Sequence, residues 1–318
     1  PFAVNDEEME RLLSVVRKHN NKVMICHVLR YTPFYSTIKE KLISGAIGEV
    51  INIQTVENVS YHHLSTSFVR GKWGNSKKCH TSMLLAKCCH DMDIMMWMMS
   101  PVRPISVSSV GSLGQFKREN APKNAGTYCL KDCPNVDTCQ YSAKKIYLDH
   151  LGSWEFYVWK ELESVENPTM EQRIEVLRRS DYGRCVYMCD NNVCDNQLVT
   201  MTFENGASAV LNMNGLSNKM FRECHIVGTK GELVGYGTKL KMHIFGGKTT
   251  TVNTGSLNIS GHVEGDIRLV SGFVKLLCGE TKDLTNITTI DATVISHNIA
   301  LAAEESRKNG GTVVLLKD

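Results

Sequence analysis

Apolar and polar positions in the first fifty residues follow the patterns of two helices and a buried strand. Asn5, followed three residues later by Glu8, is typical of a helix start, and apolar residues then recur at helical spacing. The short apolar run at 22–31 predicts a buried parallel strand. A second helix is expected to begin at Pro33 and to stop at Gly45. Helix, strand and helix in succession are typical of α/β architecture.

Past residue 48 the pattern changes. Residues 50–59 alternate between apolar and polar and predict a strand, whereas 81–99 predicts the main central helix. A loop is expected at 112–124, and an irregular segment rich in cysteine and aromatic residues at 129–167.

The second half of the chain has the pattern of antiparallel hairpins, of which Asn205-Gly206 is the strongest signal. Hairpin strands are predicted at 197–203 with 207–213, 222–227 with 232–236, and 239–245 with 249–252. Helices are predicted at 266–278 and 291–308, with a last strand at 312–316. The expected fold class is α/β, more narrowly α+β, with an open, mainly antiparallel sheet and helices on one face.

Composition narrows the class of protein further. The chain has 318 residues, 42% hydrophobic and 22% charged, which excludes disordered, collagen-like and coiled-coil proteins. A net charge of +3 argues against nucleic acid or an anionic membrane as partner. No apolar run reaches the roughly 18 residues of a membrane span. We expect a cytoplasmic protein whose twelve cysteines are mostly reduced thiols.

The central helix carries polar residues at positions where chemistry is expected. Lys87 and His90 are three residues apart, as are His90 and Asp93, so each pair shares a helix face. Lysine and histidine this close form a candidate proton-transfer pair. A structural Lys–Asp pair beside a satisfied core histidine is the alternative, and spacing alone does not distinguish the two.

The irregular segment also contains a candidate metal site. Cys129, Cys133 and Cys139 lie within eleven residues, and with a fourth ligand they could hold a structural zinc ion. No two of them have the tight spacing of zinc knuckles. Buried free thiols are the alternative interpretation, and an iron–sulfur cluster is less favoured than zinc.

Several separated motifs resemble the Gfo/Idh/MocA oxidoreductases (the glucose–fructose oxidoreductase, inositol dehydrogenase and rhizopine catabolism family). The run LAKCCHDMD at 85–93 resembles the active-site helix of that family. The other similar motifs are LRYTP at 29–33, SGAIGEV at 44–50, FVRGKW at 68–73, YGRCVY at 182–187, DNQ at 195–197 and SH at 296–297. They occur in the family's order and cover essentially the whole chain.

The resemblance implies two domains. Members of the family join an N-terminal Rossmann domain, which binds NAD or NADP, to a C-terminal α/β domain that binds substrate and assembles oligomers. Residues 1–30 would be the end of the Rossmann domain, and 31–318 the substrate-binding and oligomerisation domain. No Gly-x-Gly-x-x-Gly motif occurs in the chain, and the family's catalytic lysine would stand immediately before Pro1. We therefore expect the chain as given not to bind the dinucleotide by itself.

The resemblance also implies roles for individual residues. His90 stands at the position of the family's histidine, whereas Ala86 replaces its aspartate and Lys87 is the residue that would compensate. The implied assignments are catalytic roles for His90 and Lys87, cofactor contacts for Arg30 and Tyr31, and substrate contacts for Tyr182, Arg184 and His262.

Two functions remain open on this basis. The first is a portion of an NAD(P)-dependent oxidoreductase that transfers hydride at a sugar or sugar-like hydroxyl and forms a homo-oligomer through its open sheet. The second is a non-catalytic scaffold that keeps the fold and binds other proteins. The missing glycine motif and Ala86 motivate the second.

Overall fold

The computed structural model describes residues 2–150, 155, 157–254, 263–280 and 286–316. In this part of the chain nine strands form one sheet, in the order β8-β7-β6-β5-β1-β4-β3-β2-β9. The strands are β1 Val50–Ser60, β2 Pro104–Ser112, β3 Asn196–Phe203, β4 Ser208–Ser217, β5 Phe221–Gly228, β6 Gly231–Tyr236, β7 Lys239–Ile244, β8 Thr249–Val252 and β9 Val314–Leu315. β1 runs parallel to β4, and every other described pairing is antiparallel.

One face of the sheet is buried and the other is open. On β3, Gln197, Val199, Met201 and Phe203 are buried, while the residues between them are exposed. Strict alternation of this kind places one face of a strand against a core and the other toward solvent. The expected fold class, an open and mainly antiparallel sheet with helices on one face, is confirmed.

The structure describes nine α-helices. They are α1 Asp6–Lys18, α2 Pro33–Ile43, α3 Tyr61–His63, α4 Ser76–Cys79, α5 Met83–Lys87, α6 Cys89–Met99, α7 Met170–Arg179, α8 Val263–Cys278 and α9 Ile290–Lys308. Of these, α6 contacts β1 and α9 contacts β2. Every residue of α6 except His90 is buried. A helix that is apolar all round belongs inside the protein, and α6 contacts both β1 and α9.

Helix caps follow the sequence pattern. The Asn5 side chain accepts a hydrogen bond from the Glu8 amide at 2.8 Å and caps α1. Pro33 opens α2, and Gly45 follows it with φ +68°, which a residue without Cβ adopts freely. The predicted starts of both helices are confirmed.

The strand predicted at 22–31 is wrong. Met24 forms only an isolated bridge to Thr289, and Val28–Tyr31 is a 3-10 turn. Only residues 27–30 of the segment are buried, and no strand of the described sheet pairs with it. Apolar pattern alone does not separate a buried strand from another buried segment.

The central helix predicted at 81–99 is interrupted. α5 ends at Lys87 and α6 begins at Cys89, because Cys88 leaves helical geometry with φ −96° and ψ 9°. The Ser82 hydroxyl caps α5 by accepting the Leu85 amide at 3.2 Å. The break places Lys87 and His90 on separate helices.

Two elements, β2 and α7, are not among those predicted from the sequence. β2 buries only Val107 and Ser109 completely, and a strand with so few apolar positions gives no clear alternation. α7 begins with a capping box between Thr169 and Gln172, a signal that could have located it.

None of the described helices combines the length and apolar character needed to span a membrane.

Replacement of Ile38 by alanine is expected to lower the free energy of unfolding by about 2–5 kcal/mol, since this α2 side chain is fully buried in the main core. Ile43 lies on the same helix and is 64% exposed, so Ile43→Ala is expected to change stability by less than about 0.5 kcal/mol. Urea unfolding followed by circular dichroism measures both. Equal losses would contradict the described packing of α2.

Candidate active site

A buried ionic cluster joins the sheet to the break between α5 and α6. Glu57 on β1 lies directly opposite Arg222 on the antiparallel β5, with Glu57 Oε2 2.8 Å from Arg222 Nε. Glu57 Oε1 lies 2.6 Å from Lys87 Nζ at the end of α5. Arg222 also donates to both carboxylate oxygens of Asp91 on α6, at 2.7 and 3.2 Å.

The sequence places these groups by simple periodicity. Glu57 occupies the same face of β1 as Ile53, Thr55 and Val59, all of which point into the protein. A carboxylate at such a position needs cations beside it. With both carboxylates ionised, the two acids and two bases of the cluster cancel in charge.

Burial dominates the electrostatics of the cluster. Burial raises the pKa of Glu57, although the charges of Arg222 and Lys87 oppose that shift. His63, which follows β1, has its pKa lowered to about 2, first by burial and then by the positive charges of Lys87 and Arg222. His63 is therefore neutral at physiological pH.

A second buried cluster holds the opposite side of α6. Asp93 accepts two hydrogen bonds from Arg30, both at 2.6 Å, and its Oδ1 lies 3.0 Å from His27 Nδ1. Burial disfavours the charged form of His27, but hydrogen bonds to Asp93 and Cys89 outweigh it and raise the pKa of His27 to about 9. His27 is therefore an imidazolium at neutral pH.

His90 lies near the second cluster and is the half-buried residue of α6. Its ring packs edge-on against His27 with centroids 5.4 Å apart. Lys87, about one tenth exposed, lies just before the helix break. The Lys–Asp pair of the alternative interpretation does not form, because Lys87 contacts Glu57 and Asp93 contacts Arg30.

The other predicted site residues have their own structural partners. The Arg30 guanidinium is bound to Asp93. The Tyr31 hydroxyl accepts the Thr288 amide at 3.0 Å. As cofactor contacts, Arg30 and Tyr31 stay predictions.

The predicted substrate contacts lie in the irregular part of the chain. Tyr182 packs edge-on against Tyr147, with ring centroids 6.3 Å apart, and Arg184 donates to the Met188 carbonyl at 3.1 Å. Their described contacts are thus within this region rather than with α5 or α6. His262 lies outside the described residues. The substrate roles of all three stay predictions.

Sequence reasoning missed Glu57, Arg222 and His27 as parts of the site. Glu57 had a usable signal, since it is an acid at an inward position of an alternating strand. Arg222 and His27 had none, because their partners are 131 and 66 positions away, a separation that periodicity does not describe.

Among the described residues, no three His, Cys, Asp or Glu side chains are arranged as a preformed metal centre. All twelve cysteines are free thiols. Cys129, Cys133 and Cys139 nevertheless line one small cavity together with Cys185.

Fold and site together define a mixed α/β domain in which an open sheet and a broken helix enclose a lysine, a histidine and buried carboxylates. Residues 39–315 match the model of the oxidoreductase family C-terminal alpha/beta domain, Gfo/Idh/MocA type. The chain belongs to this family, as its motifs predicted.

Individual relatives are distant in sequence. A protein of Bacillus subtilis (strain 168) named YteT, described as an oxidoreductase, is 24% identical over 148 residues, which are 45% of this chain and about a third (34%) of that relative's length. An NAD binding oxidoreductase from Klebsiella pneumoniae superposes with a TM-score of 0.67 at 13% identity, covering 100% of this chain and 73% of that one. Levoglucosan dehydrogenase, solved with NADH and levoglucosan, gives 0.65 at 16% identity, covering 100% and 72%.

Replacement of His27 by glutamine is expected to remove a pH-dependent part of the stability. Because the folded pKa is raised from about 6.5 to about 9, the stabilisation is fully present below pH 6.5 and is lost as the pH rises through 9. It amounts to about 3 kcal/mol, at roughly 1.4 kcal/mol per pKa unit. Urea unfolding at intervals from pH 6 to 10 measures it, with His225→Gln as the control. Identical slopes for wild type and His27→Gln would refute the assignment.

Replacement of Glu57 by glutamine is expected to cost about 3–5 kcal/mol of unfolding free energy, because Lys87 loses its described carboxylate partner and Arg222 keeps only Asp91. Glu204→Gln at a surface pair with Arg103 is the control and should cost less than about 1 kcal/mol. The double variant Glu57→Gln/Lys87→Met restores the charge balance, so its loss should be smaller than the sum of the single losses. Additive losses would show that the two groups are not coupled.

Proposed function

We propose that this chain is the substrate-binding portion of an NAD(P)-dependent oxidoreductase that acts on a hydroxyl of a sugar-like molecule. The observation that carries the proposal is the buried contact of 2.6 Å between Lys87 and Glu57, three residues before the half-buried His90 in the sequence. Membership of the oxidoreductase family and the NADH and levoglucosan bound by a structural neighbour support it. In this proposal residues 31–318 form the substrate domain and 1–30 the end of the cofactor domain.

Lys87 and His90 have the chemistry that alcohol oxidation needs. When a hydride leaves the carbon of an alcohol, the hydroxyl proton must pass to a base. As a neutral amine Lys87 can take that proton and become an ammonium ion, and His90 is the second candidate for acid/base catalysis. Glu57 holds the ammonium group in place and supplies, from the sheet, the carboxylate that Ala86 cannot supply from the helix.

The dinucleotide would accept the hydride, but this chain does not offer its usual binding site. No Gly-x-Gly-x-x-Gly occurs in the sequence, and the described residues include no strand, glycine turn and helix that could bind a pyrophosphate. Just over a quarter of each of the two solved neighbours has no counterpart in this chain. We propose that the cofactor binds to residues corresponding to that part.

The open sheet face suits assembly with a second copy of the chain. Leu198, Leu216, Val234 and Tyr236 are large apolar residues exposed on outward positions of β3, β4 and β6. Exposed apolar groups gathered on one face are typical of interaction surfaces. Their arrangement supports the proposal of a homo-oligomer formed through the sheet.

Activity measurements test the role of Lys87. The protein encoded by the complete reading frame is titrated with NADH and NADPH by nicotinamide fluorescence, and sugars and polyols are then screened for reduction of NAD(P)⁺. Lys87→Arg keeps the positive charge beside Glu57 but cannot act as a base at neutral pH, so kcat should fall by roughly 10²–10⁴. His90→Gln should also lower kcat.

The exposed Lys241 on β7 provides the control, and Lys241→Arg should leave kcat unchanged. Unchanged kcat in Lys87→Arg would reject Lys87 as the base. Absence of saturable NADH and NADPH binding would reject the enzyme proposal and favour the scaffold.

A further inference from the structure

Two irregular segments bring four cysteines around one cavity. The Cys129 amide donates to the Gly183 carbonyl, and the Cys185 amide donates to the Thr127 carbonyl, both at 2.9 Å. This reciprocal pairing puts Tyr128 opposite Arg184, so Cys129 and Cys185 lie diagonally across the same bridge. The cavity, which Cys133 and Cys139 also line, has about 10 Å³ of space, enough for one water-sized particle.

The backbone that carries these cysteines is held by specific hydrogen bonds. The Asp132 carboxylate accepts the Thr127 and Tyr128 amides at 2.9 and 2.7 Å, which fixes the turn between Cys129 and Cys133. The Cys139 amide donates to the Asn135 carbonyl at 2.8 Å. These hydrogen bonds hold the backbone that carries Cys129, Cys133 and Cys139.

A buried arginine contacts two residues that line the cavity, Cys129 and Tyr141. Arg70 is 5% exposed and donates to the Arg184 and Tyr141 carbonyls at 2.7 and 2.8 Å. Its Nη2 lies 3.8 Å from Cys129 Sγ, and among the described residues its Nη1 has no hydrogen-bond partner. None of its described contacts is a carboxylate. A buried cation without an anion is costly, so the thiols beside it are the natural source of negative charge.

We propose that Cys129, Cys133, Cys139 and Cys185 bind one structural Zn²⁺ ion, with Arg70 offsetting the negative charge of the zinc–thiolate centre. Zinc prefers four thiolates in tetrahedral geometry, and the zinc centre with four thiolates carries a net charge of −2. In the described structure the thiols surround the cavity without converging to ligand spacing, so the ion must draw the side chains inward.

Binding of zinc would deprotonate the four thiols. Each thiol releases its proton to solvent when it becomes a ligand, and the zinc ion is neither oxidised nor reduced. The inference is independent of the proposed oxidoreductase function.

The ion would tie the irregular segment to the turn that carries Tyr182 and Arg184. Among the described residues between β2 and α7, regular structure is limited to short turns such as Arg118–Asn120 and Lys145–Asp149. A segment with so little core gains stability from a metal that crosslinks it. Cys185 directly follows Arg184, so the zinc ion would also fix the position of that side chain.

Metal analysis of the purified protein tests the proposal. Protein prepared under reducing conditions without chelators should contain about one zinc per chain by inductively coupled plasma mass spectrometry. Cys133→Ser and Cys139→Ser should reduce the zinc content several-fold. Cys26→Ser and Cys278→Ser, at exposed cysteines away from the cavity, should leave it unchanged.

Cobalt titration of the metal-free wild type provides a second measurement if the serine variants fail to fold. Tetrahedral thiolate ligation gives intense visible bands and thiolate-to-cobalt charge transfer that saturate at one equivalent. Absence of these bands, iron with acid-labile sulfide, or a disulfide among the four cysteines would each overturn the zinc site.

Discussion

Charge balance in the buried space between β1, β5 and the start of α6 is the constraint on which the site depends. Glu57 and Arg222 face each other across two antiparallel strands, so the strand register fixes their separation. Arg222 then reaches Asp91, and Glu57 reaches Lys87. Removal of one member leaves another charged group largely buried without its partner. The cluster therefore depends on the sheet and the broken helix being folded together.

The same reasoning explains how α6 is oriented. Asp91 is bound to Arg222 from the sheet, whereas Asp93 is bound to Arg30 and His27 from the segment before α2. Two carboxylates two positions apart on a helix point in different directions. Each of the two has a cationic side chain beside it. The helix therefore cannot rotate without breaking one of the two clusters, and His90 is held near them.

Local patterns predicted much of the fold but little of the site. The alternating strands, the Asn5 cap and the hairpin at Asn205-Gly206 depend on neighbours in sequence, and the structure has them. The strand predicted at 22–31 was wrong because burial does not specify a pairing partner. The clusters around Glu57 and Asp93 depend on contacts between residues that are distant in sequence. The inward position of Glu57 was the one usable sequence signal for either cluster.

Ala86 stands where the helix motif of the family has an aspartate, and the position of Glu57 bears on that difference. Loss of an acid from the helix would leave Lys87 alone in a buried site, and a lone ammonium group there would be costly. The structure instead provides an acid from β1, 2.6 Å from Lys87 Nζ. The 2.6 Å contact leaves Lys87 with a buried carboxylate partner although the helix carries alanine at position 86. The proposed catalytic role of Lys87 therefore does not require an acid at that position of the helix.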